Sequence, residues 1–378
     1  MDNKRAISLA GRHIALFTRY GGAGPSSRLR FYQYKAALEA AGAHVVVEPF
    51  FDDRYVEGLF ATGKRSRAAI AKGFLRRAAA VARGGHDLIW VEKEVFPFLP
   101  GVFERVFHGR GIPYVVDYDD AIFHSYDLAE SRIVRTMLGR KLDPLLAGAA
   151  LITAGNSYLA DYARAHGATR ILTVPTVVDT AHYPATPPLD DGEIRVGWIG
   201  TPGNASYLKP VIEALNRIGD RLPVRLLTIG AGEFPTLAVP HERYEWSAKT
   251  ESALLSRIDI GVMPLVDSPW ERGKCGFKLI QYMAAGRPVI ASPVGVNAAI
   301  VTPDVGLLAT SVYDWADRIA QLAEDASARA AMGAAGRRAV AEHYSLDALA
   351  PVIVGAFADL LGSAGDPRTI IAMPGAAS

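Results

Sequence analysis

At 378 residues the chain has room for two domains of about 180 residues, each able to bury its own core. Half of the residues are hydrophobic and 21% are charged, which excludes a disordered chain, and the single cysteine, Cys275, excludes an intrachain disulfide framework and a cysteine-rich zinc site. The net charge of +2 hides an asymmetry: residues 1–185 carry 24 Lys and Arg against 18 Asp and Glu, the remainder 17 against 21, so the N-terminal half is the basic one. The first apolar run, Ile14 to Phe17, is too short for a signal-peptide core, and no run approaches the 18 apolar residues of a membrane span. A cytoplasmic protein is expected.

Apolar runs of strand length alternate with helical spacing throughout, the pattern of α/β domains with parallel sheets. In the first half, strands are predicted at His13 to Phe17, His44 to Glu48, Leu88 to Val91, Tyr114 to Val116, Leu151 to Thr153 and Ile171 to Val174. Helices are predicted over Ser27 to Ala41, 98–110, 129–147 and 157–166. Gly63 to Arg83 carries Lys64, Arg65, Arg67, Lys72, Arg76, Arg77 and Arg83, interleaved with Ile70, Phe74, Leu75 and Val81 at roughly helical spacing. Such a helix can lie on an anionic membrane leaflet, and it is equally an ordinary solvated face. The proline-rich stretch from Thr180 to Gly192 reads as a linker, which sets domains at 1–185 and 190–344. Strands are then predicted at Ile194 to Ile199, Arg225 to Ile229, Tyr244 to Trp246, Ile258 to Met263, Val289 to Ala291 and around Gly306 to Ala309. Helices are predicted at 205–221, 250–257, 277–285, 311–324 and 326–362, the last broken near His343 to Ser345, with a loose tail over 363–378.

The segment ERGKCGFKLIQYMAAGRPVIASPVG, Glu271 to Gly295, carries the most chemistry. A glycine-flanked loop, Gly273 to Gly276, leads into a helix beginning at Phe277, which Gly286 and Pro288 terminate. Free backbone N–H groups at that helix start, flanked by Arg272, Lys274 and Lys278, form a site for a diphosphate. Lys278 and Gln281 share one helical face, which sets an amide one turn beyond the cation, where ribose hydroxyls can sit. A second βα unit, IRVGWIGTPGNASYLKP, offers Gly200 and Thr201 before Asn204 as helix cap. Its glycines Gly197, Gly200 and Gly203 lack the G-x-G-x-x-G order, and the next strand ends in Gly230 instead of an acid, which disfavours a dehydrogenase.

Two N-terminal features complete the set. The loop RYGGAGPSSRLRFYQY places Gly22, Ser26 and Ser27 at a helix start with Arg28 and Arg30 in its first turns, against the helix dipole. The alternative is a surface turn rich in small residues. In VVDYDDAIF, Asp117, Asp119 and Asp120 close a strand at the end where open α/β sheets place ligands, and carboxylates so close require partners. Capping of the next helix is as good a reading of Asp119 or Asp120 taken singly. A metal-binding Asp-x-Asp motif fits poorly with two Rossmann-like halves. His124 and Cys275 lack catalytic partners in the sequence, Asn156 and Ser157 read as a helix cap, and no zinc-type spacing occurs.

The Glu271 to Gly295 segment, in its form GKCGFK–QYMAAGRPV, resembles the donor-site signature of glycosyltransferase family four, retaining enzymes of the GT-B fold. That resemblance implies two Rossmann-like domains facing across a cleft, with the last helix, 345–362, returning to the N-terminal domain. It implies a nucleoside diphosphate sugar as donor, no metal or other cofactor, and no nucleic-acid partner. The donor would meet Gly200, Thr201, Arg272, Lys274, Gly276, Phe277, Lys278, Gln281, Val294 and Gly295. The acceptor side would be Gly22, Ser26, Ser27, Arg28 and Arg30, and Asp119, Asp120 and Lys278 would carry the catalysis. Two glutamates of the family motif are replaced, by Gly273 and Gln281, and the family's phosphate-gripping Arg and Lys positions hold Thr201 and Ser206, with Lys209 one turn on. Charge neutralisation then falls to Lys274 and Lys278. The implied activity is retaining transfer of a sugar to a hydroxyl, in bacterial-type surface polysaccharide or glycolipid assembly, with a saccharide or lipid-linked acceptor at the inner face of the membrane and 63–83 as the membrane contact. A GT-B nucleotide-sugar epimerase and a non-catalytic nucleotide-sugar or glycan-binding subunit are the alternatives.

Overall fold

The computed structural model describes residues 8–362 except 188 and 190, with main chain only at 60–62; the tail expected at 363–378 lies outside the described residues. Two six-stranded sheets form, parallel throughout. The first holds β1 (His13–Phe17), β2 (His44–Val47), β3 (Leu88–Glu92), β4 (Tyr114–Tyr118), β5 (Leu151–Ala154) and β6 (Ile171–Thr173) in the order β2-β1-β3-β4-β5-β6. The second holds β7 (Ile194–Ile199), β8 (Val224–Ile229), β9 (His241–Tyr244), β10 (Ile260–Met263), β11 (Val289–Ala291) and β12 (Gly306–Leu308) in the order β12-β11-β10-β7-β8-β9. Every residue of β3 and β4 is buried, as a strand covered on both faces requires, whereas the edge strand β2 alternates.

Alternate side chains of each strand feed two cores. On one face of the first sheet, Leu16, Trp90 and Val115 meet Phe31, Leu38 and, from the last helix Leu346–Gly362, Ile353 and Phe357. On the other, Phe17, Val91 and Val116 meet Val81, Leu145 and Leu159. In the second sheet Val196, Leu226 and Val262 pack on Leu215 and Ile319, while Ile199, Leu227 and Ala291 pack on Leu279, Met283 and Val340. The two chain crossings between the halves lie side by side, where Val178 N–H donates to Tyr344 O (3.0 Å) and Leu346 N–H to Val178 O (2.9 Å).

Several predicted elements change. The helix expected over 98–110 is only a 3-10 turn, Gly101–Arg105, because Glu104 turns inward to accept from Val95 and Phe96 N–H and to pair with Lys141 (2.7 Å). The one expected over 129–147 divides into Arg132–Leu138 and Asp143–Gly148, preceded by His124–Asp127. The helix from Ser27 starts at Pro25 and widens into a π turn over Arg28–Tyr32 before Gln33–Ala40. Residues 202–208 form a 3-10 turn ahead of the helix Lys209–Ile218, and the strand expected at Tyr244 to Trp246 ends at Tyr244. A further helix, Asp53–Thr62, capped by Asp52, was not anticipated by any periodic signal. The basic stretch becomes the helix Arg67–Arg83, capped by Ser66, with Lys64 and Arg65 ahead of it; Arg77 is buried and donates to the Thr18 carbonyl (2.6 Å), so it does not share the solvated face.

Candidate functional site

In a parallel sheet all strands end on one side, and the loops that leave there gather the site. On the C-terminal domain, Gly276 takes a left-handed conformation (φ 66°) and starts the helix Phe277–Ala284, and a Cβ at that position would lie 2.4 Å from Ile300. One residue on, half-buried Phe277 packs against the core, and the Lys278 ammonium lies 5.1 Å from the centre of the Trp198 ring. No carboxylate pairs with Lys278 among the described residues. Burial, with a smaller contribution from Lys274, lowers its pKa to about 8. A half-buried ammonium over an aromatic face at a helix start, with no carboxylate partner among the described residues, is chemically suited to an anion.

Gly295 is also left-handed (φ 55°), and a Cβ there would lie 2.6 Å from the Arg272 carbonyl, so the loop after β11, with Val294 buried in it, closes directly on the Glu271 to Gly276 loop. Gly200 and exposed Thr201 leave β7 on the same side. Arg272 departs from the expectation of a phosphate contact: its guanidinium turns to Asp267 (2.6 and 3.0 Å) on the surface. Glu271 is buried and held by Ser268 and Tyr207, so it is not a free replacement for a motif glutamate. Gln281 is buried, and its amide N–H group is spent on Glu251 (2.9 Å) and Tyr183 (3.3 Å) instead of being free for ribose hydroxyls.

On the N-terminal domain the three aspartates are separated by their cations. Asp117 is buried under a two-pronged Arg30 contact (2.7 and 2.9 Å) and a Thr153 hydroxyl. Asp119 pairs with Lys93 (2.8 Å), and Asp120 approaches Lys274 of the other domain (3.9 Å). Burial works against ionising Asp119, but the charges of Lys93 and Arg30 outweigh it and hold its carboxyl below the ordinary range. For Asp120 burial dominates over Lys274 and Lys93, and its carboxyl is raised. Among the described residues no three His, Cys, Asp or Glu side chains gather in a way that could hold a metal ion.

The glycine-rich loop contributes unevenly. Ser26 is half-buried and accepts from the Lys93 ammonium (3.3 Å), and Gly22 is half-buried with open space where a Cβ would stand. Arg28 crosses the cleft, its guanidinium 5.4 Å from the Trp246 ring centre. Ser27 and Arg30, expected to face the acceptor, lie below the surface instead: Ser27 donates to Glu92 (2.6 Å), and Arg30 holds Asp117 and the Val174 carbonyl. An arginine at this helix start is tolerated because its charge is neutralised by a buried aspartate, not because a ligand takes it.

Sequence reasoning missed Lys93, Trp246, Glu251 and Tyr183. Lys93 has a left-handed backbone (φ 65°), rare for a residue with a side chain, directly after β3. The signal was present in VEKEVF, a charged triplet closing an apolar strand, the same signature that singled out Asp117 to Asp120. The two domains meet at the Gly273 to Gly276 loop: Asn156 donates to the carbonyls of Lys274 (3.0 Å) and Arg272 (3.4 Å), and the Cys275 thiol donates to Asp119 O (3.1 Å). Burial raises the Cys275 thiol pKa well above its ordinary value, so it packs and does not act as a nucleophile.

Residues 193–325 match the family model described as "Glycosyl transferases group 1". No curated protein matches the chain. Among solved structures, sucrose-phosphate synthase from Thermosynechococcus elongatus aligns with a TM-score of 0.71 at 18% identity, over 93% of this chain and 100% of the other. HepE from Anabaena, in complex with UDP and glucose, aligns at 0.66 and 15% over 93% and 100%. WaaG, a glycosyltransferase involved in lipopolysaccharide biosynthesis, aligns at 0.65 and 14% over 92% and 99%. The chain therefore has the two-domain GT-B fold, and its C-terminal domain is similar to the glycosyl transferases of group 1.

Proposed function

We propose that the chain is a retaining glycosyltransferase that moves a sugar from a nucleoside diphosphate sugar to a hydroxyl acceptor in the assembly of a surface polysaccharide or glycolipid. The observation that carries this reading is Lys278, a half-buried ammonium at the start of the Phe277–Ala284 helix with no carboxylate partner among the described residues. The departing diphosphate is the group whose charge grows in such a reaction, and Lys278, Lys274 and the helix N–H groups stand ready to stabilise it without rearrangement. Asp119 or Asp120, across from them, faces the sugar or the acceptor hydroxyl. The UDP held by HepE supports a nucleotide of this class as donor.

The acceptor in this reading is a lipid-linked saccharide, because the N-terminal domain carries a face suited to an anionic membrane. Lys64, Arg65, Arg67 and Lys72 are exposed along it, and Leu75 of the same helix is 73% exposed. Phe103 is exposed as well and packs on Phe96, which stacks on Phe74 of the helix Arg67–Arg83. Exposed apolar groups and basic side chains on one stretch of chain suit the interface of an anionic leaflet. In this reading the contact is peripheral, at the inner face; among the described residues no helix is long and apolar enough to cross a membrane.

The test is a panel of nucleotide sugars screened by thermal stabilisation, followed by an assay for free nucleoside diphosphate with and without saccharide acceptors. Acceptor-dependent release, lost in Lys278→Ala, is expected. Binding without any turnover would favour a non-catalytic subunit, and release that ignores the acceptor or gives an epimerised sugar would favour an epimerase.

A further inference from the structure

The cleft contains a carboxylate with an unusual set of partners. Glu251 is half-buried, and three neutral donors fix it: Gln281 amide (2.9 Å) and Tyr183 hydroxyl (3.5 Å) on Oε1, and Trp246 indole N–H (2.5 Å) on Oε2. Among the described residues no lysine, arginine or histidine pairs with it. The donors come from separated parts of the chain: the linker, the loop after β9 and the helix that bears Lys278. Trp246 in turn lies against Arg28 of the opposite domain, which places this carboxylate in the cleft itself. A carboxylate has about four lone-pair positions, so the second one on Oε2 is open, and the long Tyr183 contact on Oε1 is readily replaced. An acid that is oriented by neutral groups and retains acceptor capacity is suited to hydroxyl donors, and it repels phosphate.

We propose that Glu251 is the receptor for a vicinal diol, the 2′- and 3′-hydroxyls of the nucleotide ribose, and that Gln281 is a positioning residue that holds it. The inference rests on the nucleotide-sugar reading above and deepens it. Lys278 and Gln281 are three residues apart on one helix, which separates them by roughly 4.5 Å along its axis. Phosphate therefore sits at Lys278, and the sugar that follows it lies toward the Gln281 end, where Glu251 is hydrogen-bonded. The buried amide cannot fill this role itself, because its N–H group already points at Glu251.

The test compares UDP with 2′-deoxy-UDP by calorimetry on the full chain, with the ADP and GDP pairs as further probes. The wild type is expected to prefer each bound ribonucleotide by roughly ten- to hundredfold, the worth of a hydrogen bond to a charged group. In Glu251→Gln that preference should fall toward one while affinity for the deoxy form is kept, a pattern that misfolding does not produce. Gln281→Glu sets two carboxylates together and weakens binding, and the double variant Glu251→Gln with Gln281→Glu, which restores a single charge, should recover affinity for the deoxy form but not the preference. A preference that survives Glu251→Gln, or its absence in a wild type that binds the nucleotides, overturns the proposal alone. A wild type that binds none of the diphosphates overturns both it and the nucleotide-sugar reading.

Discussion

With its pKa lowered to about 8 by burial and by Lys274, Lys278 is an ammonium whose charged form the fold disfavours. Its unfolded value is near 10.5, so the unfolded chain holds the proton more tightly. The resulting destabilisation is fully present below about pH 8 and is relieved as pH rises toward 10.5. Lys278→Met should therefore raise the melting temperature of the ligand-free protein at pH 7, by roughly a few degrees, and that gain should shrink as the pH approaches 10.5. The same substitution should weaken UDP binding by roughly tenfold or more, since a charge-assisted contact is lost. Wild-type affinity should decline as pH climbs through 8, while Lys278→Arg, whose guanidinium does not titrate in this range, should stay level. Calorimetric titrations between about pH 6.5 and 9.5 and parallel melting curves would check both parts. A flat wild-type profile would mean that the Lys278 ammonium does not meet the phosphate.

The loop from Gly273 to Gly276 is the element on which the two domains meet, and small residues allow the approach. A Cβ on Gly155 would stand 2.2 Å from the Cys275 sulfur but 3.4 Å from its Cβ, which is ordinary contact. Gly155→Ala should thus push the loop away from β5 and cost about 1–3 kcal/mol as overpacking. Adding Cys275→Ala should return most of that, so the pair should be non-additive by about 1 kcal/mol or more in denaturant unfolding, with turnover recovering in step. Additive effects would place the strain elsewhere. This loop was legible in the sequence because glycines, lysines and a helix start are consecutive there. Strand positions were legible for a similar reason, since a strand buried on both faces is an unbroken apolar run, as in β3 and β4. The 98–110 region misled because nothing local in its sequence shows that the buried Lys141, more than thirty residues on, draws Glu104 inward. Glu251 and Trp246 were invisible for another reason: their role depends on Gln281, Tyr183 and Arg28, which only the folded chain brings to them.

At the level of the whole molecule, the chain crosses between domains twice at one line, and after the second crossing it returns to cover the first sheet. The helix Leu346–Gly362 places Ile353 and Phe357, both buried, against the face made by Leu16, Trp90 and Val115, with Phe357 edge-on to Trp90 at 5.1 Å. The last described helix thus completes the core of the N-terminal domain, while the pairing of Val178 with Tyr344 and Leu346 keeps both connections side by side. Stability of the N-terminal domain therefore depends on a segment that only the C-terminal domain can deliver. Phe357→Ala removes a buried aromatic side chain and should cost about 3–5 kcal/mol. That loss should be local: amide hydrogen exchange should accelerate in β1 and β3, whose residues share this core, well before it changes in β7 and β8, whose core contains no part of the last helix. Equal acceleration in both sheets would mean that the domains unfold as one unit. Slower exchange in β7 and β8 than in β1 and β3 would instead separate donor-site integrity from acceptor-side integrity, and UDP should then still bind the variant under conditions where transfer to an acceptor has already been lost.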